Sequence, residues 1–394
     1  MKKILNIIKN NYIVIFCIYF ISLFLETTIL LVDYPIFEKI FKYTRYFTYL
    51  LFLIRLVLVF PNMVNDFRKR EKKQHFLIFI VILFLITVLL NFYFTRQKRL
   101  LFLMLVLLSS YKVEEDEIID GLWIMQIVLT MFIVLLTLFG FLKNYAIARE
   151  DVLRYSLGFL YTTNLAQLVL FSTLLRFYIK KFRVGADELV FVQIINLFTY
   201  GLTYSRTEFI FMELIIIVAI LYNTIGLNKK KVNIISSFFT YTYWIYPILS
   251  VFLVLAFPKG GVFYKIDVVL SNRLSQTYEV IHENGVTLFG KDIEFIGHGI
   301  SDKLKYGTNL TSNFVDNEYI QLMLSHGVVF IILFVILLSY MNLKIYKKKN
   351  YKKLFVCMIY LMFGILNPRI LNLVYSPIPF MIFNEITKKE EKIN

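Results

Sequence analysis

Phe76–Phe94 reads FLIFIVILFLITVLLNFYF, nineteen residues without a charge, its apolar run broken only by Thr87, Asn91 and the Tyr93 hydroxyl. A helix crossing a hydrocarbon layer takes about 20 such residues at about 1.5 Å each. Charge brackets the run on both sides, with Lys69-Arg70-Glu71-Lys72-Lys73 before it and Arg96-Gln97-Lys98-Arg99 after it. The same alternation recurs along the chain and predicts twelve spans, at about residues 12–32, 46–65, 76–94, 99–111, 122–142, 159–179, 188–204, 207–226, 232–257, 315–343, 354–370 and 371–386. The fold class expected is an all-α polytopic membrane protein.

Composition agrees. The 394 residues are 58% hydrophobic and 18% charged, with a mean hydropathy of +0.68. Soluble domains have about 45–50% apolar and about 25% charged residues. These figures exclude a soluble enzyme, a disordered chain and a nucleic-acid-binding domain. The net charge of +16 fits Lys- and Arg-rich cytoplasmic loops rather than a polyanion-binding surface. Cys17 and Cys357 both lie inside apolar blocks and indicate neither a disulfide nor a metal site. Met1-Lys2-Lys3 before an apolar run resembles a signal peptide. The run Tyr12–Val32 is too long for one and lacks a small-residue cleavage site, so it reads as an uncleaved first span.

Basic runs set the orientation. Placing Lys69–Lys73, Lys180-Lys181, Lys229–Lys231, Lys347–Lys349 and Lys388-Lys389 in the cytoplasm puts both termini there too, as an even number of spans requires. Arginine then divides differently from lysine. Eight of 13 arginines fall outside (Arg45, Arg96, Arg99, Arg149, Arg154, Arg206, Arg273 and Arg369), whereas 21 of 30 lysines fall inside. The positive-inside rule treats the two alike and does not produce this split. Arginine is the better phosphate ligand, because its planar fork binds two oxygens and keeps its charge when partly dehydrated. The asymmetry fits either compositional scatter among only 13 arginines or an outward-facing site for a phosphorylated, lipid-linked substrate.

Three regions follow: residues 1–257 with nine spans, a large extracytoplasmic loop at 258–314, and residues 315–394 with three spans and a cytoplasmic tail. At 57 residues the loop is long for a connector and too polar for a core of its own. Within it Leu270, Leu274, Tyr278 and Ile281 recur every three or four residues, predicting one amphipathic interfacial helix over 266–281.

No metal motif, phosphate-binding Gly-Lys loop, dinucleotide fingerprint or Ser-His-Asp signature is present. Polar residues at the outer ends of spans stand out instead. Arg149 and Arg154 precede the sixth span, which carries Asn164 and Gln167; two arginines there also suit lipid headgroups. Tyr204-Ser205-Arg206-Thr207-Glu208 is a polar break between two apolar runs, where Glu208 or Glu213 also offers a neutralising partner. An arginine costs roughly 2.5–3.5 kcal/mol at mid-membrane and less near the interface, so it has a partner or a task. Arg273 lies in the loop. Asp316-Asn317-Glu318-Tyr319 opens the tenth span, where Asp316 suits either a helix cap or a general base. His326, ten residues on and about 15 Å deeper, suits a buried polar contact. His298 sits in the glycine-rich half of the loop and is accessible.

Arg154-Tyr-Ser-Leu-Gly-Phe with Asn164, Tyr204-Ser-Arg206-Thr, Ser-Asn-Arg273-Leu with Leu288-Phe-Gly290, and Asp316-Asn-Glu-Tyr-Ile-Gln with Gly327 occur in that order. In this the chain resembles the Wzy-type polysaccharide polymerases of the O-antigen polymerase and ligase superfamily, over roughly residues 95–385. In the ligase branch the segment after the large loop opens with His-Asn; Asp316 in that place fits the polymerase branch. Two departures stand. Thr163, not Pro, precedes Asn164, and Arg273 is followed by glycine only at Gly285, one residue beyond the Arg, ten residues, Gly spacing of some polymerases.

The resemblance implies a fold related to the C-type membrane glycosyltransferases and lipid-to-lipid glycosyl transfer at the outer face of the bacterial cytoplasmic membrane. A growing capsular or exopolysaccharide chain leaves its undecaprenyl diphosphate and joins the next lipid-linked oligosaccharide repeat unit, with inversion and without a metal or other cofactor. Arg206 and Arg273 would stabilise the diphosphate and Asp316 would act as base. Arg149, Arg154, Asn164, Ser205, His298, Asn317 and Tyr319 would bind substrate. Partners would be undecaprenyl-diphosphate-linked oligosaccharides, membrane lipids, a chain-length regulator and a flippase, and no nucleic acid. An O-antigen-ligase-like glycan transferase is the neighbouring alternative. A lipid-linked oligosaccharide flippase would place charges at mid-depth along several spans, where only Arg55, Arg176 and a few acids qualify. A non-catalytic envelope partner would tolerate alanine at Arg206, Arg273 or Asp316.

Overall fold

In the computed structural model, described over residues 2–69, 72–149, 152–225, 244–307 and 312–388, the apolar runs are helices. In chain order these are α1 (Lys2–Asn10), α2 (Tyr12–Leu25), α3 (Leu30–Asp33), α4 (Ile36–Arg68), α5 (Lys72–Thr95), α6 (Arg99–Ser109), α7 (Glu115–Leu138), α8 (Asn164–Ile179), α9 (Ala186–Thr203) and α10 (Arg206–Ile225). They continue as α11 (Ile245–Ala256), α12 (Val262–Val269), α13 (Arg273–Asn284), α14 (Ile300–Tyr306), α15 (Glu318–His326), α16 (Val328–Lys347), α17 (Tyr351–Phe363) and α18 (Ile378–Thr387). Among the described residues four helices are long and apolar enough to cross a membrane: α4, the His75–Thr95 part of α5, α7 and α16. A fifth is gained if Ile245–Lys259 and Val262–Val269, bent by 118°, count as one span. Residues 232–243 of the ninth predicted span lie outside the described residues.

Helix α5 keeps an apolar face on the outside of the bundle. Phe76, Phe79, Ile82, Ile86, Leu89 and Tyr93 recur every three or four residues and are all exposed. A continuous apolar stripe facing outward suits a membrane surface. Inward faces pack around aromatic side chains. Phe171 of α8 stacks on Tyr360 of α17, with ring centroids 4.7 Å apart, and meets Phe363 edge-on at 5.0 Å.

The continuous spans expected from hydropathy are interrupted at defined places. The first ends early at Leu25, and its tail is stitched to residues 158–160 through Ile29 N–H to the Gly158 carbonyl and Leu160 N–H to the Thr27 carbonyl. The tenth breaks at Gly327, whose φ is +92° and where a Cβ would lie 2.2 Å from the Leu288 carbonyl oxygen. The long loop enters that break, since Val328 and Val329 donate to the Thr287 and Leu288 carbonyls. Asn91 bridges the Phe289 and Ser325 carbonyls and contacts His326 Nδ1 at 3.2 Å, the buried polar contact expected of that histidine. Between α17 and α18 the chain runs irregularly over residues 364–377, its backbone satisfied by turns and by Glu318.

Two expectations need correction. The predicted helix over 266–281 is two helices, α12 and α13, because Ser271 and Asn272 adopt left-handed backbone (φ 59° and 62°). The fold is also not purely helical: strands β1 (Ala146–Arg149) and β2 (Val152–Tyr155) pair antiparallel, with Ile147 opposite Arg154.

Candidate functional site

Local structure aims the arginines. On β2, Arg154 is 9% exposed; its Nε donates to the Thr203 carbonyl at 2.7 Å and its Nη2 to Ser205 Oγ at 3.4 Å. That carbonyl is at the end of α9, where the helix dipole favours a cation. Tyr204, left-handed at φ 50°, stops α9, and α10 begins two residues later with Arg206. Arg206 is exposed and lies over the Tyr204 ring, 5.3 Å from its centroid.

Arg273 is fixed from a third direction. Buried Asp267 of α12 accepts from the Leu274 and Ser275 N–H groups at 2.8 and 3.2 Å, capping α13 so that Arg273 is its first residue. Arg273 Nε then meets Asp316 Oδ2 at 2.9 Å, and Nη1 donates to the Leu366 carbonyl at 2.9 Å. The two side chains are 26% and 30% exposed, so both reach solvent.

Arg154, Ser205, Arg206 and Arg273 line one cavity of about 340 Å³, with Glu208 on its wall and apolar Phe211, Leu270 and Leu366 beside them. Segments far apart in sequence thus converge three guanidinium groups on one space, with Asp316 held against the third. Guanidinium forks suit phosphate oxygens, and a neighbouring carboxylate suits a proton.

Other candidate residues are engaged elsewhere. Asn317 caps α15 by accepting from the Ile320 N–H at 3.2 Å, and donates to Ser250 Oγ and the Ile365 carbonyl, both at 2.9 Å. Tyr319 is 2% exposed and donates to the Leu361 carbonyl at 2.7 Å. Asn164, 2% exposed, accepts from Arg369 at 3.2 Å and donates to the Thr27 carbonyl at 3.3 Å. Burial and these internal hydrogen bonds engage all three side chains within the protein. His298 is exposed and is not among the residues lining this cavity. The side chain of Arg149 lies outside the described residues.

The sequence reading missed a polar chain behind the cavity. Gln167 donates to Glu208 at 3.0 Å and accepts from Arg369 Nε at 2.6 Å, while Arg369 also lies over the Tyr375 ring, 4.4 Å from its centroid. Arg369 sits in the polar break Asn367-Pro368-Arg369 between two apolar runs, the same signal that singled out Arg206. Glu213 takes hydrogen bonds from Gln193 and Asn196 at 2.8 and 2.7 Å. Among the described residues no group of three or more His, Cys, Asp and Glu side chains is placed to hold a metal ion.

Fold and cavity together define a helical protein with helices of membrane-crossing length and an arginine-lined cavity against a carboxylate. No family model, curated protein or solved structure matches the chain.

Proposed function

We propose that the chain is a polysaccharide polymerase that joins undecaprenyl-diphosphate-linked oligosaccharide repeat units at the outer face of a bacterial cytoplasmic membrane. In this reading it has twelve spans, both termini are cytoplasmic, and residues 258–314 form the large extracytoplasmic loop carrying Arg273. The observation that carries it is the convergence of Arg154, Arg206 and Arg273 on one cavity, with Asp316 on Arg273.

The acceptor hydroxyl attacks the anomeric carbon of the donor glycan from the face opposite the diphosphate. A carbon–oxygen bond forms there as the bond to the diphosphate breaks, and the leaving diphosphate takes the electron pair. Arg206 and Arg273 stabilise its growing charge, work that costs about 10²–10³-fold in rate when one such donor is removed elsewhere. Asp316 takes the hydroxyl proton, a role worth about 10²–10⁴-fold. Before substrate arrives Arg273 and Asp316 neutralise each other. An incoming diphosphate competes for Arg273 and frees the carboxylate, so the base becomes available only when the donor is bound.

The test is incubation of purified protein with its lipid-diphosphate-linked repeat unit in chelator, read as a ladder of longer lipid-linked glycans. A ladder with wild type that Asp316→Asn and Arg206→Ala both lose supports the reading. With the verified native substrate, no ladder from folded wild type overturns it in favour of a transporter. A ladder that survives Asp316→Asn keeps the polymerase and removes the assigned base.

A further inference from the structure

A second, larger cavity of about 780 Å³ lies at the same end of the bundle. The irregular segment 364–377 walls both: Leu366 lines the first cavity, and Pro368 with residues 371–374 line the second. The entrance to α15 does likewise. Asp316 is held by Arg273 of the first cavity, and Glu318 lines the second. Two residues of extended chain place their α-carbons no more than about 7 Å apart.

The second cavity has cations of its own, Arg45, Lys98 and Arg99. Arg45 is paired with Glu26. Lys98 and Arg99 are exposed at the start of α6, and among the described residues neither side chain donates to a protein acceptor. Gln97 fixes the approach to them by donating to Asp292 of the long loop at 2.8 Å.

Leu371 also lines a third space, an apolar groove of about 600 Å³ between α4, α5, α6, α16 and α18, with Phe60, Val81, Met104, Phe334 and Phe383 on its walls. A cation-bearing chamber thus adjoins an apolar groove at one shared side chain. That pairing complements an amphiphile with an anionic phosphate head and a long hydrocarbon tail.

We propose that this chamber and groove hold a second polyprenyl-diphosphate-linked glycan, the acceptor, separately from the donor whose diphosphate occupies the first cavity. The assignment rests on the polymerase reading and gives it what a lipid-to-lipid transfer requires. Two diphosphates are held apart, so that only the one at Arg206 and Arg273 is activated to leave. Lys98 and Arg99 retain the acceptor's diphosphate, its tail lies in the groove, and its glycan reaches past Glu318 to Asp316.

The test is the stoichiometry of undecaprenyl diphosphate bound to the full-length protein, measured by native mass spectrometry from detergent, with phosphatidylglycerol as competitor. Wild type should bind two equivalents. Lys98→Ala with Arg99→Ala should lose one and Arg206→Ala with Arg273→Ala the other, and neither loss should be reproduced by phosphatidylglycerol competition. Arg99→Lys in an otherwise native chain should keep two, showing that charge rather than folding is read. One equivalent lost only with Arg206 and Arg273 overturns the second site and leaves the polymerase reading intact. A second equivalent displaced by phosphatidylglycerol overturns it in favour of a general anionic-lipid site. No binding by folded wild type overturns both.

Discussion

Lys353 and Arg273 each sit beside a carboxylate, at opposite ends of the bundle. Lys353 of α17 bonds Glu115 at 2.7 Å and Glu385 at 2.9 Å, all three side chains at most 7% exposed. Lys348 adds a bond to Glu385 at 2.7 Å, and Lys344 donates to the Glu385 and Lys388 carbonyls at 2.5 and 2.9 Å. Helices α7, α16, α17 and α18 are tied together there. Arg273 and Asp316 instead stay 26% and 30% exposed against a cavity. Charge that is sealed holds helices in register, whereas charge that keeps an open side has binding capacity left.

The largest expected effect breaks the sealed cluster. Lys353→Ala leaves two buried carboxylates facing each other, and opening a buried pair costs about 3–5 kcal/mol. Thermal unfolding in detergent should show a large fall in Tm and in the yield of monodisperse protein. Arg273→Ala should barely move the same melt, since a partly exposed pair contributes about 0–1 kcal/mol, yet it should abolish chain growth. Equal losses of stability in the two variants would make Arg273 a structural residue and end the contrast.

Tyr319→Phe sharpens the comparison within the cavity region itself. Its hydroxyl serves the Leu361 carbonyl in the core, and a buried acceptor left unsatisfied costs about 1–3 kcal/mol. Stability should fall by that order while the KM for lipid-linked glycan is unchanged. A raised KM with an unchanged melt would return Tyr319 to the substrate-binding set.

Tyr319 also shows what sequence discloses and what it does not. Apolar runs such as Phe76–Phe94 were legible as helices because hydrocarbon length and side-chain polarity are local properties. Arg154, Ser205, Arg206 and Arg273 were candidates through the outer-side excess of arginine and the order of their motifs, whereas their sharing one cavity is a property of the fold. The direction of Asn164 and Asn317 was not legible, since a short polar side chain at a helix end caps or ligates with the same pattern, nor was that of Tyr319, whose hydroxyl takes a partner 42 residues away. The break at Gly327 depends on Leu288 approaching from a distant loop, and the Gln167–Arg369 bond joins positions far apart in the chain. Neither partner lies in any local window.

The smallest expected effect comes from the same residue types as the sealed cluster, placed in water. In the long loop Glu294 accepts from Tyr306 Oη at 2.5 Å and from Lys305 Nζ at 3.0 Å, with the ion-pair side chains 64% and 70% exposed. The Tyr306 hydroxyl, then Lys305, holds the Glu294 carboxyl below its ordinary value. A lowered folded-state value means that the contribution is fully present above the ordinary Glu pKa of about 4.3. It fades as pH falls through the lowered value. Glu294→Gln should therefore melt marginally below wild type at neutral pH, the difference closing in acid and at high salt, where exposed pairs are screened. Salt should leave the Lys353→Ala deficit in place, because ions do not reach a cluster sealed between helices. A Glu294 effect as large and as salt-resistant as that of Lys353 would show that burial is not what separates the two ends.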